Sequence, residues 1–284
     1  MTTARKAAVL GSPIAHSLSP VLHSTAYREL GLDDWTYERH DVDERGLEAF
    51  LDTVDHGWAG LSLTMPLKRA VLPLLDSVTE VAESVRSVNT VFLTPAGRKV
   101  GINTDIPGIT AALRERGVEH VERAVVLGGG ATAASALAAL ARMGAREVTG
   151  YVRSAARAEE MREWGGRLGL EVRTAAWSRA AEGLGAPLVV ATTPAHVTDA
   201  LAEAVPERPG VLFDVLYNPW PTRLAHRWRA RGGTLVGGLD LLIHQAALQV
   251  EVMTGRSPAP LRAMRAAAER ALRALVAREG KTID

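Results

Sequence analysis

The chain has 284 residues, 47% hydrophobic and 23% charged, with a formal net charge of +1, eight histidines and no cysteine. That length supports one large or two medium domains, and the near-neutral balance leaves no global field to attract nucleic acid or a membrane. Without cysteine there is no disulfide, thiolate metal site or Cys nucleophile, a usage that fits the cytoplasm. The histidines show no metal-ligand spacing, no apolar run is long enough to span a bilayer, and the opening MTTARKAAVLG is too short in apolar residues for a secretory signal.

The apolar run Ala7-Ala8-Val9-Leu10 reads as a buried strand over 6–11. Gly11–Ser24, GSPIAHSLSPVLHS, then crowds Ser12, Ser17, Ser19, Ser24, His16 and His23 into a strand-to-helix turn. Ser19-Pro20 reads as an N-cap followed by proline at the first helical position. Free N–H groups there, with hydroxyls nearby, suit a carboxylate; an ordinary capped turn with exposed serines explains the same residues. A strand at 35–42, a helix from 46 and a strand at 58–65 follow, then helices near 67–76 and 79–86. Within GLSLTMPLK (Gly60–Lys68), alternation puts Ser62 and Thr64 on one face. Lys68 opens the next helix, where the macrodipole disfavours a cation. Runs at 88–94 and 99–104, separated by Thr94-Pro95-Ala96-Gly97, read as a hairpin. They carry the polar clusters Val88-Asn89-Thr90 and Gly101-Ile102-Asn103-Thr104-Asp105.

A second α/β region opens with a helix near Pro107-Gly108 and has strands at 123–128, 147–153, 171–177, 187–193, 210–217 and 233–237, with helical patterns between them. Repeated β-α-β alternation argues for a parallel doubly wound sheet. The strand ending at Leu127 runs into Gly128-Gly129-Gly130-Ala131-Thr132-Ala133 and an alanine-rich helix. This is G-x-G-x-x-A in its strand–turn–helix setting: Gly128 for the tight turn, Gly130 for backbone approach to a pyrophosphate, Ala133 for helix–strand packing. The next strand ends Tyr151-Val152-Arg153-Ser154, with Arg157 one turn on and no carboxylate at its end. Guanidinium groups suit a ribose 2′-phosphate, so the expected cofactor is NADP; solvated surface arginines are the plainer alternative. Residues 239–253 are apolar nearly all round, with Gln245 and Gln249 one turn apart, and predict a buried helix. A last helix over about 260–278 puts Leu261, Met264, Ala268, Leu272 and Leu275 on one stripe.

Taken in order, GxPIxHSxSPxxH, Gly60–Lys68, Val88–Thr90, Gly101–Asp105, Phe213-Asp214-Val215-Leu216-Tyr217-Asn218-Pro219 with Thr222, and Gly237–Gln245 resemble the signatures of the shikimate dehydrogenases, over roughly residues 6–255. Ser62 stands where that family usually has Asn, Val152 also for Asn, and Leu241 for Met. The resemblance implies an α/β chain of two domains. Residues 1–106 would form a substrate domain on a mixed, mainly parallel sheet, 107–238 a Rossmann-type NADP domain on a doubly wound parallel sheet, and 239–284 helices returning to the substrate domain. It implies NADP-dependent interconversion of 3-dehydroshikimate and shikimate, with Lys68 and Asp105 as the proton-transfer pair and the substrate in a cleft between the domains. The substrate would be held by Ser17, Ser19, Thr64, Lys68, Asn89, Asp105, Tyr217 and Gln245. The cofactor would meet Gly128, Gly129, Gly130, Ala131, Thr132, Arg153, Ser154, Arg157, Val215 and Gly238. Glu80 matches a position near the cofactor in some members, though a helix-surface role is simpler. The expected partners are the small-molecule substrate alone, with no metal, nucleic acid or membrane, in a cytoplasmic monomer or homodimer. A quinate or aminoshikimate dehydrogenase of the same fold, or a non-catalytic ligand sensor, is the alternative reading.

Overall fold

A computed structural model describes residues 5–278 in two units, one running to Thr104 and resuming at Leu242–Leu275, the other Asp105–Leu241 with the residues from Val276. In the first unit, β1 (Arg5–Gly11) leads to α1 (Ser19–Glu29), β2 (Trp35–Asp41), α2 (Leu47–Asp52) and β3 (Trp58–Leu63). Next come α3 (Leu67–Ala70), a 3₁₀ turn (Leu72–Leu74), β4 (Ser77–Val78), α4 (Glu80–Ser84), β5 (Thr90–Leu93) and β6 (Lys99–Ile102). The six strands lie in the order β2-β1-β3-β5-β6-β4. β1 is parallel to β2 and β3, β4 is parallel to β6, and β5 is antiparallel to both β3 and β6. The β5–β6 hairpin turns at 94–97, where Gly97 adopts φ +75°, a conformation only glycine holds without strain.

Every residue of β3 is buried, because the sheet is covered on both sides. Leu61 and Leu63 join Leu10, Leu67, Val71, Val88 and Val91 in the core on one face. Gly60 and Ser62 alternate to the other face. A β-carbon at Gly60 would lie 2.6 Å from the Val91 carbonyl and 3.0 Å from Met253, so the close approach of β5 and of a later helix requires glycine there.

The second unit begins with α5 (Asp105–Glu115), then β7 (Arg123–Leu127), α6 (Ala131–Arg142), β8 (Glu147–Val152), α7 (Ala155–Leu168), β9 (Glu171–Ala176), β10 (Leu188–Ala191), β11 (Val211–Asp214), α8 (Arg223–Ala230) and β12 (Thr234–Gly237). Its sheet is parallel throughout, in the order β12-β11-β10-β7-β8-β9. Order reverses between β7 and β10, the switch point at which open α/β sheets bind ligands beyond their strand ends. Val125, Leu127, Val189, Leu212, Leu224 and Trp228 fill the core on one face. The last two helices are α9 (Gly238–Thr254) and α10 (Leu261–Arg278). No described helix is long and apolar enough to cross a membrane.

Several local expectations need correction. The segments after β9 and β10 are 3₁₀ turns, Trp177–Gly185 and Asp199–Ala204, rather than α-helices. Gly183 lies within the first, where a side chain would run into the Tyr151 ring. The helix expected from Pro107 starts at Asp105; proline is tolerated in a first turn, whose N–H groups have no intrahelical partner. The N-cap of α1 is Leu18, not Ser19, which lies one residue inside the helix and donates its backbone N–H to Ser17 Oγ at 3.3 Å. The helix expected over 67–76 is the single turn α3 followed by 3₁₀ geometry. One turn sums too few peptide dipoles for the electrostatic argument made for Lys68 to hold.

Candidate functional site

The first unit holds most of the candidate substrate residues, chiefly at strand ends and the loops after them. Gly11 ends β1 against the turn after β3: a β-carbon there would overlap the Thr64 methyl, and the Ser12 N–H donates to the Met65 carbonyl at 3.0 Å. The serine-rich loop and the Thr64–Lys68 turn are therefore neighbours. The Thr64 N–H donates to Leu10 O at 2.9 Å, and the Lys68 carbonyl accepts from Val88 N–H at 2.8 Å. That second bond ties α3 to the residue before Asn89.

Asn89 is 2% exposed and sits at the centre of a buried polar cluster. Its Oδ1 accepts from the Thr104 N–H at 2.8 Å and from the Thr90 hydroxyl at 2.9 Å. Its Nδ2 lies 3.0 Å from Thr104 Oγ1 and 3.4 Å from Gln245 Oε1. Gln245, 7% exposed, donates to the Leu242 carbonyl at 2.9 Å. Ser17 is half-buried, Ser19 is buried, and Lys68 is half-buried. Ser62 spends its hydroxyl inward, accepting from Tyr37 Oη at 2.6 Å and donating to Gln249 Oε1 at 2.8 Å.

His23 of the opening motif is fully buried, with Nε2 3.3 Å from Gln249 Oε1 and its ring stacked on Tyr37 at 3.9 Å between centroids. Amide oxygen only accepts, so Nε2 carries the proton. Nδ1 has no hydrogen-bond partner among the described residues. Burial, only partly opposed by the Gln249 bond, pushes the imidazole from 6.5 down to about 3. Between those values the unfolded chain binds more protons than the folded one, so stability rises with pH across the window and is lost on acidification. We expect His23 to cost about 2 kcal/mol of stability between pH 6.5 and pH 5. Urea unfolding of the wild type and His23→Gln at the two pH values reads this directly. Equal pH dependence in the two proteins would refute it.

Asp105 is 4% exposed and lies in the first turn of α5, at the start of the second unit. An acidic residue there complements the helix dipole. At the C-terminal edge of the parallel sheet, Gly128 has φ +109°, and a β-carbon would meet Thr192 Oγ1 at 2.7 Å. At Gly130 the corresponding space is open, leaving room for a ligand to approach the backbone. Gly130 is also the N-cap of α6 and supplies no side-chain cap, so backbone N–H groups at Ala131 and Thr132 face the loop for an anion to use. Gly129 lies against Val152 and the stem of Arg157. Ser154 caps α7 by accepting from the Arg157 N–H, and the Arg157 guanidinium pairs with Glu160 at 2.6 Å. Arg153 is exposed and has no hydrogen bond or ion pair to any described residue. Glycine loop, open helix terminus and free guanidinium suit a phosphorylated dinucleotide.

Further along the same sheet, the ends of β11 and β12 are pressed together. A β-carbon on Gly238 would overlap the Val215 carbonyl oxygen, and Gly238 N–H donates to Leu216 O at 3.1 Å. Asp214 closes the following loop: its carboxylate accepts from the Leu216 N–H at 3.2 Å and the Thr222 hydroxyl at 2.8 Å, while Thr222 caps α8. Burial, the larger influence, raises the Asp214 carboxyl, and the Thr222 and Leu216 bonds oppose it. Half-buried Tyr217 sits inside that loop. Glu80 is exposed in the first turn of α4.

Sequence reasoning missed Thr192, whose hydroxyl and N–H both donate to the Leu127 carbonyl at 2.9 Å and brace the glycine loop. A Thr-Thr-Pro stop after an apolar strand was the available signal. Thr90 and Thr104 lie in two of the signatures but were given no role there, and Tyr37 was missed, with nothing local to it pointing to a site.

The substrate-binding-domain model of shikimate dehydrogenase matches residues 9–91, and the C-terminal-domain model of shikimate 5′-dehydrogenase matches 238–269. The NADP(+) shikimate dehydrogenase of Thermus thermophilus is 37% identical over 269 residues, 93% of this chain and 98% of that one. The crystal structure of Mycobacterium tuberculosis shikimate dehydrogenase is similar with a TM-score of 0.85 and 41% identity, covering 94% of this chain and 99% of the other. The Thermus thermophilus enzyme in complex with NADP(H) and shikimate is similar with a TM-score of 0.81 and 34% identity, covering 94% and 99%.

Proposed function

The chain belongs to the shikimate dehydrogenase family, and from that membership we propose that it interconverts 3-dehydroshikimate and shikimate with NADP, a step of aromatic amino acid biosynthesis. The observation that carries the substrate half is the buried cluster in which Asn89, Thr104 and Gln245, from three separate signatures, are already hydrogen-bonded together. When bound, the nicotinamide exchanges a hydride with substrate C3. Lys68 supplies or withdraws the proton on the C3 oxygen, and its ammonium offsets the negative charge that develops there on reduction. Asp105 is assigned as the partner of Lys68 in this transfer. Asn89 and Gln245 grip ring hydroxyls, Ser17 and Ser19 take the carboxylate, and Thr64 and Tyr217 complete the contacts. The domain roles follow: the unit with the serine loop binds substrate and the Rossmann unit binds NADP. The reading extends to a cytoplasmic monomer or homodimer without nucleic-acid or membrane partners.

Gly128, Gly129 and Gly130, with Ala131 and Thr132 at the start of α6, hold the pyrophosphate, while Val215 and Gly238 lie toward the nicotinamide. Arg153, Ser154 and Arg157 hold the 2′-phosphate. Of the two guanidiniums, Arg157 is shared with Glu160 and Arg153 is not, so Arg153 carries more of the phosphate selectivity. Arg153→Ala should raise the KM for NADP roughly 10- to 100-fold, the worth of a charge-assisted hydrogen bond, and leave the KM for NAD unchanged. An equal rise for both cofactors would remove the phosphate role. The activity itself is tested by steady-state turnover of shikimate and quinate, each against NADP and NAD. Shikimate with NADP should give the highest kcat/KM, and a preference for quinate or NAD would overturn the assignment.

A further inference from the structure

Gln249 lies one turn beyond Gln245 on α9, is 1% exposed, and meets four groups drawn from three other elements and the residue before β5. Its Nε2 donates to the Thr90 hydroxyl at 2.8 Å and the Asn89 backbone carbonyl at 3.3 Å. Its Oε1 accepts from Ser62 Oγ at 2.8 Å and His23 Nε2 at 3.3 Å. The orientation of this amide is decided by its partners. The Asn89 carbonyl can only accept, so the nitrogen must face it. The oxygen then faces Ser62 and His23, and both must donate.

The consequence reaches the Asn89 side chain. With Gln249 N–H pointing at Thr90 Oγ1, the Thr90 proton has to leave in another direction, and Asn89 Oδ1 at 2.9 Å is a nearer acceptor than Thr104 Oγ1 at 3.3 Å. The Thr104 backbone N–H donates to the same oxygen at 2.8 Å. Asn89 Oδ1 is thereby occupied from two sides, and Nδ2 is left on the side of Gln245 and Thr104 Oγ1. Asn89 thus turns its donor, held here by Thr104 Oγ1 and Gln245 Oε1, to that side.

We propose that Gln249 is a positioning residue: through the Thr90 hydroxyl and the Asn89 carbonyl it fixes the Asn89 carboxamide with Nδ2 as the donor, so that a ring hydroxyl of the substrate binds there by replacing the 3.4 Å contact to Gln245 Oε1. This rests on the reading of Asn89 as a substrate-binding residue. Gln249 touches neither substrate nor cofactor in this account, so its loss should weaken substrate binding rather than proton or hydride transfer.

The test is a double-mutant cycle on full-length enzyme with Gln249→Met and Thr90→Val, both close in shape and without the hydrogen bonds, and with Thr90→Ser as the conservative control. Each of the first two should raise the shikimate KM roughly tenfold, about one net hydrogen bond, with kcat at saturating shikimate and the KM for NADP little changed. The double variant should be no worse than the poorer single, because both act along one path. Thr90→Ser, which keeps the hydroxyl, should restore a near-wild-type KM. An unchanged shikimate KM in folded Gln249→Met, or multiplied single effects, overturns the proposal. So does an unchanged KM in Thr90→Val, which keeps the test open should Gln249→Met not fold. Asn89→Ala separates the levels: if the wild type turns over shikimate and Asn89→Ala leaves its KM unchanged, the substrate role of Asn89 falls and the proposal with it.

Discussion

Lys68→Ala should lower kcat by roughly 10²–10⁴-fold, the usual range for removal of a general acid–base, while the protein stays folded. The structural part of this prediction rests on the backbone. The contact that ties α3 to the residue before Asn89 is the Lys68 carbonyl accepting from Val88 N–H, and alanine keeps that carbonyl. Alanine is also a good helix former in the short turn Leu67–Ala70. What is lost is the ammonium proposed to offset charge on the C3 oxygen and move its proton. The thermal midpoint should shift by only a few degrees, consistent with a half-buried surface change. Near-normal turnover by a folded variant would remove Lys68 from the chemistry.

Gly238→Ala should damage both stability and cofactor use. A β-carbon at this position overlaps the Val215 carbonyl and crowds Leu216; both are backbone atoms, which cannot rotate away. Overpacking of this kind costs about 1–3 kcal/mol and more when backbone must move, a fall of roughly 3–12 °C in Tm for a domain of this size. The strand ends that shift, Val215 after β11 and Gly238 after β12, are those assigned to the nicotinamide side of the NADP site. The KM for NADP should therefore rise at least tenfold, beyond what a general loss of stability explains at a temperature where the variant is folded. Unchanged Tm and KM together would mean that the close approach is not maintained in solution.

The same pair shows where sequence reading succeeds and where it stops. Gly238 was recognisable from its motif, but its reason was not. It was assigned to the nicotinamide, whereas the steric demand comes from Val215, which meets it only through the pairing of β11 with β12. Most strands of both sheets were legible as apolar runs closed by turn residues. β4 was not, since Ser77–Val78 is too short to carry a pattern. Ser19 was misread as an N-cap because cap identity depends on φ/ψ at Leu18, which composition does not reveal.

Gln249 is the sharper case. Its spacing from Gln245 was visible, and it predicted burial. Its partners were not, since Ser62 lies 187 positions away and Thr90 lies 159 away. Local pattern encodes period and capping; the choice of a long-range partner for a buried polar group is made by the fold. Ser62, read as sharing a face with Thr64 and as a departure from Asn, likewise proved to be engaged with Tyr37 and Gln249.

The most direct test of the central claim is transfer of the substrate's own hydrogen. The protein would be incubated with shikimate deuterated at C3 and with NADP⁺, and the reduced cofactor and oxidised product analysed by mass spectrometry. The account predicts deuterium in the NADPH and a product that is 3-dehydroshikimate without the label. NADPH free of deuterium, or no NADPH from a folded protein that binds both ligands, would contradict it.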